Sequence, residues 1–269
     1  MAKRTPALPY PPSIARLLTL GPPGGAVSAW RHAPFLDYAA MDIAESSVPE
    51  LLRLMTDREL WVAEEPECFG PVHAARALVG IIGAAAFKPL VNQMRWLCRI
   101  DDDLWMEDMP NLLLKMGPEI IEPSAAIAMD QREDFGVRIY LWNNLEDLAK
   151  AYPECRPRVV KRLLEALKYA RYGEPGITGS AISMLVQLNV SEAAPMIEAA
   201  FDTGRVDEMC CGKRERVMLE IKMTRDVYAA HREQEMEKLR REMRDWENSG
   251  SALPLDDLEI DDGETMARG

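Results

Sequence analysis

Five prolines at nearly constant spacing constrain this chain more than any other feature. Pro49, Pro89, Pro123, Pro157 and Pro195 each stand near the start of an apolar stripe of helical period, and a helix-breaking joint precedes each one. The joints are Ser47, Gly83, Gly117, Pro153 and Ser191, spaced 36, 34, 36 and 38 residues apart. Proline is tolerated in the first turn of a helix because the amides there have no intrahelical acceptor to lose. Behind the prolines lie Leu51, Leu52 and Met55, then Leu90, Val91 and Met94, and in the fourth unit Val159, Val160, Leu163 and Leu164. A repeat of this length is one helical pair, which cannot bury its stripe alone and becomes stable by stacking on its neighbours.

The best copy covers residues 70–98. Val72, Ala75, Leu78, Val79 and Ile82 form one helical stripe, and Phe87, Leu90, Val91, Met94 and Leu97 a second. Gly83 sits at the joint, so the spacing predicts two short helices folded against each other. Composition agrees: 48% of the 269 residues are hydrophobic and only 7% aromatic, and Leu, Ala, Met, Glu and Arg, all good helix formers, dominate the middle. The fold class expected is all-α.

The motif Val72-His73-Ala74-Ala75-Arg76-Ala77-Leu78 followed by Ala85-Ala86-Phe87-Lys88-Pro89-Leu90-Val91 resembles HEAT-type repeats, in the short variety also found in phycobilisome-lyase-like proteins. His73 stands where that family often has arginine, and Val137-Arg138 restores the arginine in a later copy. The likeness covers roughly residues 37–206 and implies a HEAT-like α-α superhelix, a solenoid of about five helical hairpins. Tyr10-Pro11-Pro12 with Leu17–Gly21, and Ile100-Asp101-Asp102-Asp103 with Trp105, also look like a bacterial HEAT-repeat group to which no reaction is attached.

The expected organisation is a Pro/Gly-rich arm with one short helix over 1–36, the repeats over 37–206, a long charged helix within 207–248 and a disordered acidic tail over 249–269. The second half of the charged helix carries the narrow stripe Met236, Leu239, Met243 and Trp246, whose heptad-like spacing is open to self-association with another chain. A solvated helix and a fold-back on the repeats are the alternatives.

Charge narrows the partners. A formal net charge of -12 opposes a phosphate-tracking groove, which depends on excess Lys and Arg, so neither nucleic acid nor an anionic membrane surface is an expected ligand. The opening residues lack the apolar run of a secretory signal, which gives a cytoplasmic expectation. Cys68, Cys98, Cys155, Cys210 and Cys211 lack zinc-finger spacing and read as free thiols, a vicinal Cys210–Cys211 bridge being the alternative.

No catalytic constellation emerges. His32, His73 and His231 lie far apart in sequence without a nucleophile signature. Asp101, Asp102 and Asp103 are the nearest approach to a metal site, but they lack the loop and central glycine of an EF-hand, and helix capping explains them as well. No cofactor is expected. In a HEAT-like array the second helices line the concave wall, so their polar residues are the candidate contact surface: Asn92, Arg95, Trp96, Arg99 and the nearby Trp105, then Arg158, Lys161, Arg162 and Lys168. These read as a basic ridge inside an acidic protein. The resulting expectation is a non-enzymatic scaffold that binds a protein or peptide. The alternative, carried by the family likeness, is a bilin lyase or isomerase, and a DNA-tracking enzyme is a third reading that the charge opposes.

Overall fold

The computed structural model describes residues 9–25, 33–100, 102, 106–223 and scattered positions between 227 and 245. All of the regular structure is helical, with no strand among the described residues. The chain divides into two units, Met1–Lys222 and Met223–Gly269.

In the first unit, α1 (Pro12–Ala15) runs into a 3-10 turn at Arg16–Thr19. It is seated by Ile14 and Leu17, which are fully buried. The Tyr10 hydroxyl donates to Asp57 at 2.7 Å under the Arg53 guanidinium, so the arm is tied down at Tyr10. The helices that follow are α2 (Val48–Met55), α3 (Gly70–Ile82), α4 (Phe87–Ile100), α5 (Met109–Met116), α6 (Ile121–Met129), α7 (Phe135–Ala151), α8 (Arg156–Lys168), α9 (Pro175–Gln187) and α10 (Ala194–Asp202). Two short helices, α11 (Glu208–Cys211) and α12 (Arg214–Glu220), complete the unit.

All five joints take one local form. A 3-10 turn at Glu45–Ser47, Gly83–Ala86, Pro118–Ile120, Pro153–Cys155 or Ser191–Ala193 leads directly into the helix that carries the proline. Each proline lies in that helix's first turn, where its missing N–H costs nothing. At Asp37–Met41, where the periodicity predicts the opening of a first helical pair, only a 3-10 turn forms (Ala39–Met41), closed by Asp42 at φ 60°.

Packing between helices differs from the simple hairpin. The most extensive contacts cross from one pair to the next, α2 on α3, α6 on α7 and α8 on α9. First helices also meet in succession, α3 with α5, α5 with α7 and α7 with α9, as do the second helices α6, α8 and α10. Long-range polar contacts keep the same step. Arg95 reaches Glu133 across 38 residues, Arg162 reaches Glu122 across 40, and Arg156 reaches the Leu188 carbonyl across 32. Each of these bonds therefore spans about the length of one helical pair.

Residues 67–100 contain a window apolar enough for a membrane span, with mean hydropathy 1.5, of which 56% is buried inside the protein. Gly83 breaks it at φ 52°, ψ -129° into helices of 13 and 14 residues, short of the roughly 20 that a span requires. No neighbouring atom lies within 4 Å of a Cβ added at Gly83. Gly83→Ala is thus expected to cost about 1–3 kcal/mol through backbone conformation alone, read as a lower urea midpoint with an unchanged slope.

Helix α3 is buried on nearly every side, polar residues included. His73 Nε2–H donates to the Gly21 carbonyl at 2.9 Å, which leaves Nδ1 to accept from the Tyr38 hydroxyl at 3.2 Å. Burial holds the His73 pKa below its ordinary 6.5, so the unfolded chain takes up the proton first as pH falls. The stability that neutral His73 contributes is complete above about pH 6.5 and is lost on acidification toward the lower folded value. His73→Gln is expected to flatten the fall in melting temperature between about pH 7 and pH 5, and an unchanged profile would contradict this assignment.

The long charged helix expected over 213–246 is interrupted. Val217 and Ile221 are buried and α12 packs on α9 and α10, and a turn follows over 221–223. In the second unit the described positions between 227 and 245 are helical, and Glu237 pairs with Arg240 and Arg244. Met236 is 44% exposed, whereas Leu239, Met243, Trp246 and the acidic tail lie outside the described residues.

Candidate functional site

The candidate contact residues fall on two second helices, α4 and α8. Trp105, Asp101 and Asp103 lie outside the described residues, as do His32 and His231. On α4, Asn92 and Arg99 are exposed. Arg95 forks onto both carboxylate oxygens of Glu133 at 3.1 and 3.0 Å and donates to Asn92 Oδ1 at 2.7 Å. The hydrogen bond from Arg95 holds the Glu133 carboxyl below the usual range. Trp96 meets Trp61 edge to face at 5.1 Å with the Arg58 guanidinium over its ring. Its aromatic partner thus comes from the α2–α3 connection.

On α8, Arg158, Lys161 and Lys168 are exposed and Arg162 is half-buried. The ridge is not a free positive surface. Arg162 donates to Glu122 of α6 through both Nε, at 2.8 Å, and Nη2, and to Glu165 through Nη1 at 2.6 Å. Arg158 stands 3.6 Å from the other Glu122 oxygen. Of the candidate cations, Arg95, Arg158 and Arg162 are compensated by acids, while Arg99, Lys161 and Lys168 form no ion pair among the described residues. The sequence reading missed this because the compensating acid belongs to the adjacent pair. Opposite charges one repeat apart were the available signal.

These side chains frame a groove of about 250 Å³ between α6 and α8. Its α6 wall is Glu122, Ala125, Ala126 and Met129, one face by helical spacing, and its α8 wall is Arg162, Glu165 and Tyr169. The two alanines leave the space that larger residues would fill. Tyr169, at the end of α8, is 59% exposed. The sequence places Glu165 on the same wall as Arg162 and suggests its pairing with Lys161, whereas in the structure it pairs with Arg162. The groove can accept an apolar side chain between Ala126, Met129 and Tyr169, with both signs of charge at its edge.

Reactive groups are quiet elsewhere. All five cysteines are free, and burial pushes the Cys98 thiol up to about 11 and the Cys211 thiol up to about 12, which disfavours the nucleophilic thiolate. Among the described residues no three His, Cys, Asp or Glu side chains are grouped to hold a metal ion. Asp102 is half-buried, with its N–H donating to the Leu97 carbonyl at 3.2 Å. No known family model, no curated protein and no solved structure matches this chain.

Proposed function

We propose that this chain is a non-enzymatic binding scaffold, a HEAT-like stack of helical pairs that receives a peptide or protein segment along its second helices. The stacking is supported by the recurring turn-and-proline joint and by hydrogen bonds that step one repeat at a time. The observation that carries the binding role is the α6–α8 groove, because it joins an apolar floor, an exposed tyrosine and a switchable ion-pair trio. A partner carboxylate can take over Arg162 from Glu122, which keeps Arg158 as its own counter-charge, so this exchange leaves the displaced acid paired.

Ala126 is exposed, so Ala126→Trp fills the groove without entering the core. Immobilised Ala126→Trp protein is expected to lose, by about tenfold or more, a partner that the wild-type chain retains from source lysate, as read by quantitative mass spectrometry. Retention of the same partners at the same yield by both proteins would move the binding surface off this groove.

A further inference from the structure

The α8 rim of the groove carries more positive charge than its own acids take up. Arg158, Lys161, Arg162 and Lys168 lie on α8, and the acids that pair there are Glu122 and Glu165. Both acids are committed to the two arginines. Lys161 and Lys168 are exposed and form no ion pair among the described residues. The adjacent helix α10 offers them nothing further, because Glu198 and Asp202 are taken up by Arg214 at 3.3 and 2.7 Å. In a chain of formal net charge -12 this surplus is local, and charges elsewhere on the surface are screened beyond a Debye length of about 10 Å.

Lys161 and Lys168 each lie one helical turn from Glu165, on either side of it, so they bracket the α8 wall of the groove. Seven residues of helix set them about 10 Å apart, a span that about three residues of extended chain cover. Beside that span lies the apolar floor of Ala126, Met129 and Tyr169, of which Ala126 and Tyr169 are exposed. With the α6–α8 groove read as the binding surface, on which this rests, we infer that its partner is an acidic linear segment. An aliphatic side chain of the segment enters the groove, and carboxylates on either side of it meet Lys161 and Lys168. Exposed ion pairs add little affinity by themselves, so the aliphatic anchor holds the segment while the charges select it and speed its capture. A nucleic acid would carry its phosphates past Glu122 and Glu165 as well as the lysines, whereas a segment with an apolar centre brings its charge to the two ends of the wall.

Fluorescence anisotropy with the full chain at about 50 mM salt, where surface charge is incompletely screened, tests the assignment. The probe is a labelled, blocked Gly-Glu-Asp-Leu-Ala-Asp-Glu-Gly peptide. One control peptide carries Gln and Asn in place of Glu and Asp, and a second carries Ser in place of Leu. The acidic peptide is expected to bind about tenfold or more tighter than either control. Lys161→Glu combined with Lys168→Glu should remove its advantage over the amide peptide, and Ala126→Trp its advantage over the serine peptide. Lys213→Glu, an equal reversal at the exposed residue before α12, should change neither. Equal binding of the acidic and amide peptides, with both lost on Ala126→Trp, would overturn the acidic partner and leave the groove as the binding surface. An advantage unchanged by the double lysine reversal, tighter binding of an oligothymidylate of equal charge, or no binding by any probe would also overturn it. The groove itself would then stand or fall on the lysate comparison of Ala126→Trp with wild type.

Discussion

Replacing Asp108 with alanine is expected to destabilise the first unit by about 3–5 kcal/mol, because it leaves a buried guanidinium without its counter-charge. The Arg76 and Asp108 side chains are 1% and 0% exposed. Arg76 Nε donates to Asp108 Oδ2 at 2.8 Å and Nη2 to Oδ1 at 2.6 Å, while Nη1 reaches the Ala33 and Pro34 carbonyls. Phe35 lies under the guanidinium at 5.1 Å from the ring centre. Asp108 occupies the position just before α5, yet its carboxylate caps no amide of that helix and turns to Arg76 instead. Without it, the cation keeps carbonyl partners but loses the charge that makes burial tolerable. The double replacement Arg76→Met with Asp108→Leu removes both desolvation costs, so it is expected to recover most of the loss. Urea unfolding of the two variants separates the cases. A D108A protein within about 1 kcal/mol of wild type would show that the pair is hydrated or rearranged in solution.

The architecture was legible wherever its cause was local. Proline at the first turn of a helix and glycine at a positive-φ joint act through their own backbones, so Pro157 and Gly83 announce their places without reference to anything distant. The apolar stripes were legible too, because one helix face meets one environment: Leu90, Val91, Met94 and Leu97 are all buried as the spacing predicts. Which helix fills that environment was not. Residues 70–98 read as a closed hairpin, but α3 lies chiefly on α2 and α5, since its stripe extends round the helix and no single neighbour can cover it. The polar surface misled for a related reason. Arg95, Arg158 and Arg162 are basic in sequence and paired in space, their acids being Glu133 and Glu122 on the adjacent pair. The groove itself depends on Ala125 and Ala126, whose small size carries no periodic signal.

Trp142→Ala is expected to be the other severe substitution, at about 3–5 kcal/mol. Trp142 lies near the middle of α7, the helix that touches α4, α5, α6, α8 and α9, and it is fully buried. Truncation there would open a cavity beneath a fully buried ring, which a close-packed interior collapses only partly to fill. Its indole Nε1 has no hydrogen-bond partner among the described residues, and this makes the conservative replacement informative. Trp142→Phe also leaves a void, but it removes an unsatisfied donor whose burial itself costs about 1–3 kcal/mol. The phenylalanine variant should therefore stand much closer to wild type than to alanine. In thermal unfolding each kcal/mol corresponds to about 2–4 °C for a unit of this size, so the two variants are readily resolved. Equal losses in both would mean that the indole N–H is paired in solution, through water held in the core, and that the polar atom rather than the ring volume anchors α7.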